Sequence, residues 1–144
     1  MAGAPPDAMR RVPLFAELSE GELEQVARLF KQRTFTAGET VAREGSGGAA
    51  FYLIESGKAS VSVAGQQRAG LGPGDYFGEI ALIDGGLRTA TITAASDGTS
   101  YGLTPWQFRP LVETNASIAW PLLEAMAKRT RDIEAQLHSA GVAS

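Results

Sequence analysis

Glu79 and Arg88 are the two residues whose types and spacing best suit a site for a small charged ligand. They stand nine positions apart in the segment 77–90, which reads FGEIALIDGGLRTA. An arginine can offer a planar pair of donors to a phosphodiester, and the neighbouring Thr89 adds a hydroxyl. A carboxylate cannot pair with phosphate, so Glu79 is suited to accept a hydrogen bond from a sugar hydroxyl. The pair therefore fits a ribose joined to a phosphate.

The backbone of the same segment adds to this interpretation. A short helix beginning at Glu79 or Ile80 would direct unpaired N–H groups toward an anion. Gly78 would let a ligand approach the chain closely, because it has no side chain. From the residues alone, a second interpretation stays equally open: Glu79 and Arg88 form a salt bridge across a turn and bind nothing.

Three zones of different periodicity must position this segment. Residues 12–33 form a helical lead-in, where Ser19 and Glu22 have the spacing of a capping box. Residues 34–104 contain short β-branched or alternating runs separated by glycines, which is typical of a small roll or barrel. The strand-like runs lie at residues 50–54, 59–63, 89–94 and 99–104. Residues 1–11 are expected to be flexible.

The third zone, residues 105–138, is helical. Thr104 is a candidate cap with Pro105 at the first helical position. A longer amphipathic pattern follows, for which we predict a helix that starts near Ala116, bends at Pro121 and continues to Leu137. The predicted fold is therefore α+β and mainly β: an antiparallel, jelly-roll-like β-roll flanked by an N-terminal helical segment and C-terminal helices.

Composition limits the function further. The 144 residues suit a single domain, 1–144, with 44% hydrophobic residues, 20% charged residues and a net charge of −3. The acidic balance disfavours a general nucleic-acid surface. The absence of cysteine and the single histidine, His138, exclude a disulfide scaffold, a thiolate site, a histidine metal cluster and a Ser-His-Asp triad. We therefore expect no metal, no enzyme activity, no membrane segment and a cytoplasmic location.

The segment 77–90 resembles the phosphate-binding cassette of cyclic-nucleotide-binding domains, whose pattern is F-G-E-(aliphatic)-A-L, four to five further residues, then R-(S/T/A)-A. These domains occur in the bacterial catabolite activator protein, cyclic-nucleotide-dependent kinases and nucleotide-gated channels. The resemblance extends over 12–29, VPLFAELSEGELEQVARL, and 41–61, VAREGSGGAAFYLIESGKASV. It covers roughly residues 12–137.

The resemblance implies a role for each matching residue. Glu79 would accept from the ribose 2′-OH beside Gly78, while amides around Ile80 and Ala81 contact the cyclic phosphate. Arg88 would neutralise the phosphate, and Thr89, followed by Ala90, would hydrogen-bond the phosphate or the base. Two further positions would line the pocket, and three on the C-terminal helix would form a lid over the base. They are Val61 and Ala69 for the pocket, and Arg129, Thr130 and Ile133 for the lid.

The expected function is a regulatory sensor that binds cAMP, favoured over cGMP, and whose C-terminal helix moves on binding. The ligand is the cyclic nucleotide, and no cofactor is expected. The alternatives are the sensor half of a truncated transcription regulator and the gating domain of a channel or larger enzyme. Only six residues follow His138, so we expect no direct DNA binding by this chain. Its amphipathic C-terminal helix would permit a homodimer, and the sequence does not identify the effector.

Overall fold

The chain folds as two antiparallel sheets with helices before, between and after the strands. The computed structural model describes residues 3–43, 45, 50–85 and 90–139. Within those residues lie eight strands, arranged as two four-stranded sheets, and five α-helices. The prediction of a mainly β, antiparallel roll flanked by helices is confirmed.

The elements have the following bounds. The helices are α1 (Pro6–Arg10), α2 (Glu20–Ala27), α3 (Ala81–Asp84), α4 (Pro105–Thr114) and α5 (Ala116–Ser139), and Pro13–Phe15 forms a 3₁₀ turn. The strands are β1 (Lys31–Phe35), β2 (Thr40–Ala42), β3 (Phe51–Ser56), β4 (Ala59–Val63), β5 (Gln66–Leu71), β6 (Tyr76–Phe77), β7 (Thr91–Ala94) and β8 (Gly98–Leu103).

Consecutive strands lie in different sheets, except β4 and β5, which lie in the same one. One sheet runs β1-β8-β3-β6 and the other runs β2-β7-β4-β5. Strands β4 and β5 form a hairpin through Ala64 and Gly65, whose φ angles of 53° and 79° are those that a tight two-residue hairpin turn requires. In the chain, the cassette helix α3 lies between β6 of the first sheet and β7 of the second, so it is part of the connection that joins the two sheets.

Residues 3–11, which belong to the segment expected to be flexible, include α1 and pack on the core. Helix α1 places Met9 fully out of solvent, and Gly3 and Ala4 donate backbone hydrogen bonds to Phe30 and Ala27. The Ala/Pro-rich composition gave no indication that the Met9 side chain would be buried in the core. The predicted helical lead-in 12–33 is also too long, because α2 ends at Ala27 and β1 begins at Lys31.

Helix boundaries follow their capping residues. The Ser19 side chain accepts from the amide of Glu22 while Glu22 accepts from the amide of Ser19, so the predicted capping box is confirmed. Thr104 caps α4 in the same way with Gln107, and Pro105 takes the first helical position. Helix α5 begins at Ala116, as predicted, and continues through Pro121.

The largest core cluster joins the helices to the β1-β8-β3-β6 sheet. Four phenylalanines, Phe15, Phe30, Phe51 and Phe108, meet edge to face there, with ring centroids 5.7–6.4 Å apart. Two smaller clusters fill the roll between the sheets, and Phe77 packs against both of them. None of the described helices is long and apolar enough to cross a membrane.

Candidate functional site

Residues 77–85 lead from the end of β6 through Gly78 into the short helix α3. Phe77 ends β6 and is anchored in the roll, whereas Gly78 has a φ of 86°, a left-handed conformation that favours glycine. Ile80 then caps the single turn of α3, which ends where Gly85 turns left-handed and donates to Ala81. The sequence predicted the helix start at Glu79 or Ile80, one residue or two before its observed start at Ala81.

Helix α3 is short, and its position depends on one apolar anchor. Leu82 is buried in the main core, whereas Ile80 and Ile83 are exposed. The Leu82 amide also donates to the carbonyl of Glu79, 3.2 Å away. The buried Leu82 side chain and this hydrogen bond fix the backbone that carries Glu79.

Glu79 is one of the few buried polar side chains in the described part of the chain, with an exposed fraction of 6%. Its Oε1 accepts from Nη1 of Arg129, fifty residues further along on α5. Its Oε2 is buried and has no hydrogen-bond donor among the described residues. A buried acceptor without a donor costs about 1–3 kcal/mol, so this oxygen is suited to a ligand that brings one.

Tyr76 is a third member of this group, which sequence reasoning missed. Removal from water raises the pKa of its phenol, and the charge of Glu79 raises it further. Tyr76 also lines a groove of about 410 Å³ together with residues from the 3₁₀ turn and α5. At the edge of that groove Lys128 Nζ lies 3.1 Å from Glu17 Oε2. No sequence pattern links residues 111 positions apart, so this contact could not have been found from spacing.

The remaining predicted pocket residues lie in the second sheet. Val61 pairs with Ala69 across β4 and β5, and Val61 also pairs with Ile92 across β4 and β7. Directly opposed residues share a face of a sheet, so Val61 and Ala69 lie on the same face as the buried Ile92. Ala90 is half-buried and comes directly before β7. Val61 is half-buried and packs against the cluster of Ile92, whereas Ala69 is exposed.

Arg88 and Thr89 lie outside the described residues. The alternative of a salt bridge between Glu79 and Arg88 falls outside them for the same reason. Among the described residues, the carboxylate pairs instead with Arg129, one of the three predicted lid residues. The other two, Thr130 and Ile133, are exposed on α5, and the Thr130 hydroxyl donates within the helix to the Met126 carbonyl.

Comparisons with known proteins agree with this geometry. A family model described as the cyclic nucleotide-binding domain matches residues 32–115. The Cyclic AMP receptor protein of Thermus thermophilus is 32% identical over 134 residues, which are 90% of this chain and 62% of that protein. A cyclic nucleotide-gated potassium channel of Mesorhizobium japonicum is 38% identical over 108 residues, 75% of this chain and 30% of the channel.

Solved structures agree as well. The N-terminal domain of a transcriptional regulator from Streptomyces coelicolor superposes with a TM-score of 0.81 and 30% identity, covering 88% of this chain and 94% of that domain. The roll with its inserted cassette places the chain in the class of regulatory, nucleotide-binding β-roll domains. The chain belongs to the cyclic nucleotide-binding domain family. It spans from about a third to three fifths of the two full-length relatives just described, and α5 lies beyond the matched segment.

Proposed function

We propose that the chain binds cAMP, with the ribose on Glu79 and the cyclic phosphate on Arg88. The observation that carries the proposal is the buried Glu79 Oε2, which has no donor among the described residues. A ribose 2′-OH would supply that donor, and the backbone around Ile80 and Ala81 lies next to it in the chain. Gly78, in its left-handed conformation, leaves room for the sugar to approach.

The charges of this arrangement balance. The ligand brings one negative charge toward a buried carboxylate, so two cations are needed for a stable site. Arg129 already pairs with Glu79, and Arg88 would neutralise the phosphate through two parallel hydrogen bonds. Thr89 and Ala90 would complete the contact beside Arg88. Val61 and Ala69 would supply the apolar wall against the purine and ribose.

The preference for cAMP over cGMP is the finer part of the proposal. A hydroxyl at Thr89 is compatible with either base. The names of similar proteins favour cAMP, since one of them is the Cyclic AMP receptor protein of Thermus thermophilus. Competition between the two nucleotides on the purified chain would decide it, and tighter binding of cGMP would contradict this part alone.

We propose further that α5 moves when the nucleotide binds. Two adjacent ion pairs, Arg129 with Glu79 and Lys128 with Glu17, hold the helix against the cassette and the 3₁₀ turn. A ligand that contacts Glu79 changes the environment of the first pair. It can shift the helix only to the extent that it binds the two helix positions with different affinities. Thr130 and Ile133 would come over the base in the bound position.

The test of the site is the Arg88→Ala variant. Leaving the phosphate buried without its cation should weaken cAMP binding by about 2–5 kcal/mol, measured by calorimetry. Arg28→Ala is a matched control, because Arg28 is exposed on the surface and, among the residues that the structure describes, pairs with Glu24 alone. Unchanged affinity in Arg88→Ala would overturn the assignment of the phosphate site.

A second setting for the same domain is the sensor half of a transcription regulator. The superposition on 94% of the N-terminal domain of such a regulator favours it over a channel or a larger enzyme. We propose that this chain itself acts as a binding module and not as an enzyme, in the cytoplasm, and that two copies associate through α5. Gel-shift titration of this chain should show no DNA binding with or without cAMP, and a nucleotide-dependent shift would contradict that.

A further inference from the structure

The groove that Tyr76 lines lies between the segment 11–17 and α5 and is separate from the proposed ribose position. It encloses about 410 Å³, and Glu79 is not one of the described residues that line it. A volume of a few hundred cubic ångströms is the size that holds small molecules. Arg129 belongs to both places, because it lines the groove and pairs with Glu79.

Five charged side chains among the described residues line this groove, and three of them are paired. Lys128 Nζ lies 3.1 Å from Glu17 Oε2, and Arg129 is engaged outside the groove by the cassette carboxylate. The other two are Arg11 on one wall and Asp132 on the opposite wall. Within the described part of the chain, neither of these two side chains takes part in a hydrogen bond or an ion pair. One cation and one anion therefore face the same cavity.

Arg11 and Tyr76 offer hydrogen-bond donors near the start of β6. Nη1 of Arg11 lies beside Gly74, 3.7 Å from the place that a Cβ on this glycine would take. The Tyr76 hydroxyl has no hydrogen-bond partner among the residues that the structure describes. Burial, followed by the charge of Glu79, raises the pKa of this phenol, so it keeps its proton and donates. A guanidinium with a hydroxyl beside it suits a carboxylate.

Asp132 offers the opposite chemistry at one end of the groove. The lining residues of α5 extend from Ala125 to Asp132, which is seven positions or about 10 Å along the helix. Asp132 ends that stretch, and its ionised carboxylate accepts hydrogen bonds, as an ammonium group requires. Aliphatic side chains, those of Pro13, Ala16 and Ala125, also line the groove.

We propose that this groove binds a small aliphatic zwitterion, an amino carboxylate whose carboxylate contacts Arg11 and Tyr76 and whose ammonium contacts Asp132. The net charge of such a ligand is zero, and its two ends match the two groove charges of opposite sign. An anion without an amine would leave Asp132 without a counter-charge. The methylene groups of the ligand would pack on the aliphatic lining. Because Arg11 and Asp132 are both exposed, binding should be weak and should fall as salt is added.

The bound zwitterion would hold α5 against the segment 11–17, because it contacts both. This consequence rests on the proposed function, in which α5 moves when the nucleotide binds. A ligand that favours the present position of α5 should oppose a ligand that favours another position. We expect a saturating zwitterion to weaken cAMP binding by a factor of about 5–150, and cAMP to weaken zwitterion binding by the same factor.

Calorimetric titration of the purified chain with linear amino acids, from glycine to 6-aminohexanoate, tests the site. This series varies the distance between the ammonium and the carboxylate, and the plain acid or amine of each length carries only one of the two charges. We expect one length of amino acid to bind at least about tenfold more tightly than the acid or the amine of that length. Failure of the whole series to bind, or equal binding of the plain acid, would overturn the proposal.

Asp132→Asn and Arg11→Gln distinguish the two ends of the site. Asp132→Asn should remove the advantage of the amino acid over the plain acid, whereas Arg11→Gln should weaken the binding of both. Arg131→Gln and Glu134→Gln are matched controls, since both residues are exposed on α5 and neither lines the groove. If the controls weakened binding as much as the two site variants, binding would follow the overall charge of the surface and the site would be wrong.

The effect on cAMP is measured separately. Unchanged cAMP affinity at a saturating concentration of the zwitterion would overturn the claim that the ligand holds α5 in place. If the wild type binds no cyclic nucleotide, the proposed function fails, and the titration with amino acids still decides whether the groove is a binding site.

Discussion

Glu79 is a buried carboxylate, and one of its oxygens has no donor within the part of the chain that the structure describes. Arg129 balances the charge of the group but satisfies only the other oxygen. A folded chain tolerates such an acceptor where a ligand or a water completes it. The unsatisfied oxygen of Glu79 therefore lowers the stability of the free chain. A ligand that donates a hydroxyl hydrogen bond to this oxygen would remove that loss.

Glu79→Gln tests this explanation at the residue scale. The amide keeps an oxygen of similar shape but loses the charge that strengthens the bond to the ribose hydroxyl. Hydrogen bonds to charged groups contribute about 1.5–3 kcal/mol, so cAMP binding should weaken by about 10- to 100-fold. Calorimetry with cAMP and its 2′-deoxy analogue measures the effect.

The analogue supplies the control for that prediction. It lacks the hydroxyl, so it should bind the wild type more weakly than cAMP does and bind both proteins almost equally, as a double-mutant cycle requires. Glu124→Gln, an exposed change on α5, should alter neither affinity. If Glu79→Gln discriminated between the two nucleotides as strongly as the wild type, Glu79 would not be the ribose acceptor.

Local spacing was sufficient to select Glu79 as a candidate, because the cassette is a short continuous segment. The same reasoning could not pair Glu79 with Arg129 or place Tyr76 beside them. The pair of Glu79 with Arg129 depends on how α5 packs on the domain, which no interval in the sequence encodes. Tyr76 is only three residues from Glu79, but nothing in the motif marks it as part of the group. The long-range part of the site is set by packing, and it became visible only with the fold.

At the scale of elements, the sequence predicted the segments whose pattern is local. Strand β4 matches its predicted run of 59–63, and the capping residues Ser19 and Thr104 mark the starts of α2 and α4. Strands β1 and β5 carry mostly exposed residues and therefore show no apolar alternation. Their place in the sheets follows from pairing with β8 and β4.

One polar cluster ties three strands together and makes stability depend on pH. Glu55 on β3 accepts from Gln32 on β1 and from Thr99 and Tyr101 on β8, at 2.7–2.8 Å. These hydrogen bonds, led by that from Tyr101, lower the pKa of Glu55 below its ordinary value of 4.5. The bond to Glu55, together with burial, raises the pKa of Tyr101.

Tyr101→Phe should therefore destabilise the domain at neutral pH and less so in acid. A lowered carboxyl pKa adds stability that is fully present above the ordinary value and is lost as pH falls through the lowered one. Removing the principal donor should cost about 1 kcal/mol near pH 7, measured by urea unfolding. Tyr52→Phe, on the adjacent position of the neighbouring strand, is the control, and a difference between wild type and Tyr101→Phe that persisted undiminished near pH 3 would contradict the account.

At the scale of the whole molecule, the N-terminal segment and the first turns of α5 pack into the same core cluster. Met9 from the N-terminal segment, Phe51 from β3 and Ile118 from α5 belong to one buried cluster. The elements that hold the cassette and those that carry Arg129 therefore share a core. Leu82, which anchors α3, lies in the same cluster.

Met9→Ala measures how far the N-terminal segment belongs to that core. A fully buried methionine reduced to alanine should lower the free energy of unfolding by about 2–5 kcal/mol, read from urea or thermal unfolding. Trp106→Ala is the control, since Trp106 is 68% exposed and its loss should matter far less. Equal effects of the two variants would mean that the N-terminal segment contributes no packing and that its flexibility was correctly predicted.

Nucleotide binding should stabilise the entire domain, because the proposed site uses the cassette, one sheet of the roll and α5 together. A ligand that binds only the folded state at about 100 times its Kd adds about 2.7 kcal/mol of stability. For a chain of this size that corresponds to a rise in Tm of about 5–10 °C. Calorimetric scans with cAMP should show the rise in Tm, with 5′-AMP producing little.

Arg88→Ala should abolish this rise in Tm, whereas Arg28→Ala should retain it in full. A rise with cAMP that Arg88→Ala preserved would place the nucleotide elsewhere on the molecule, and a transition that split in two on binding would show that the roll and the helices do not respond as one body.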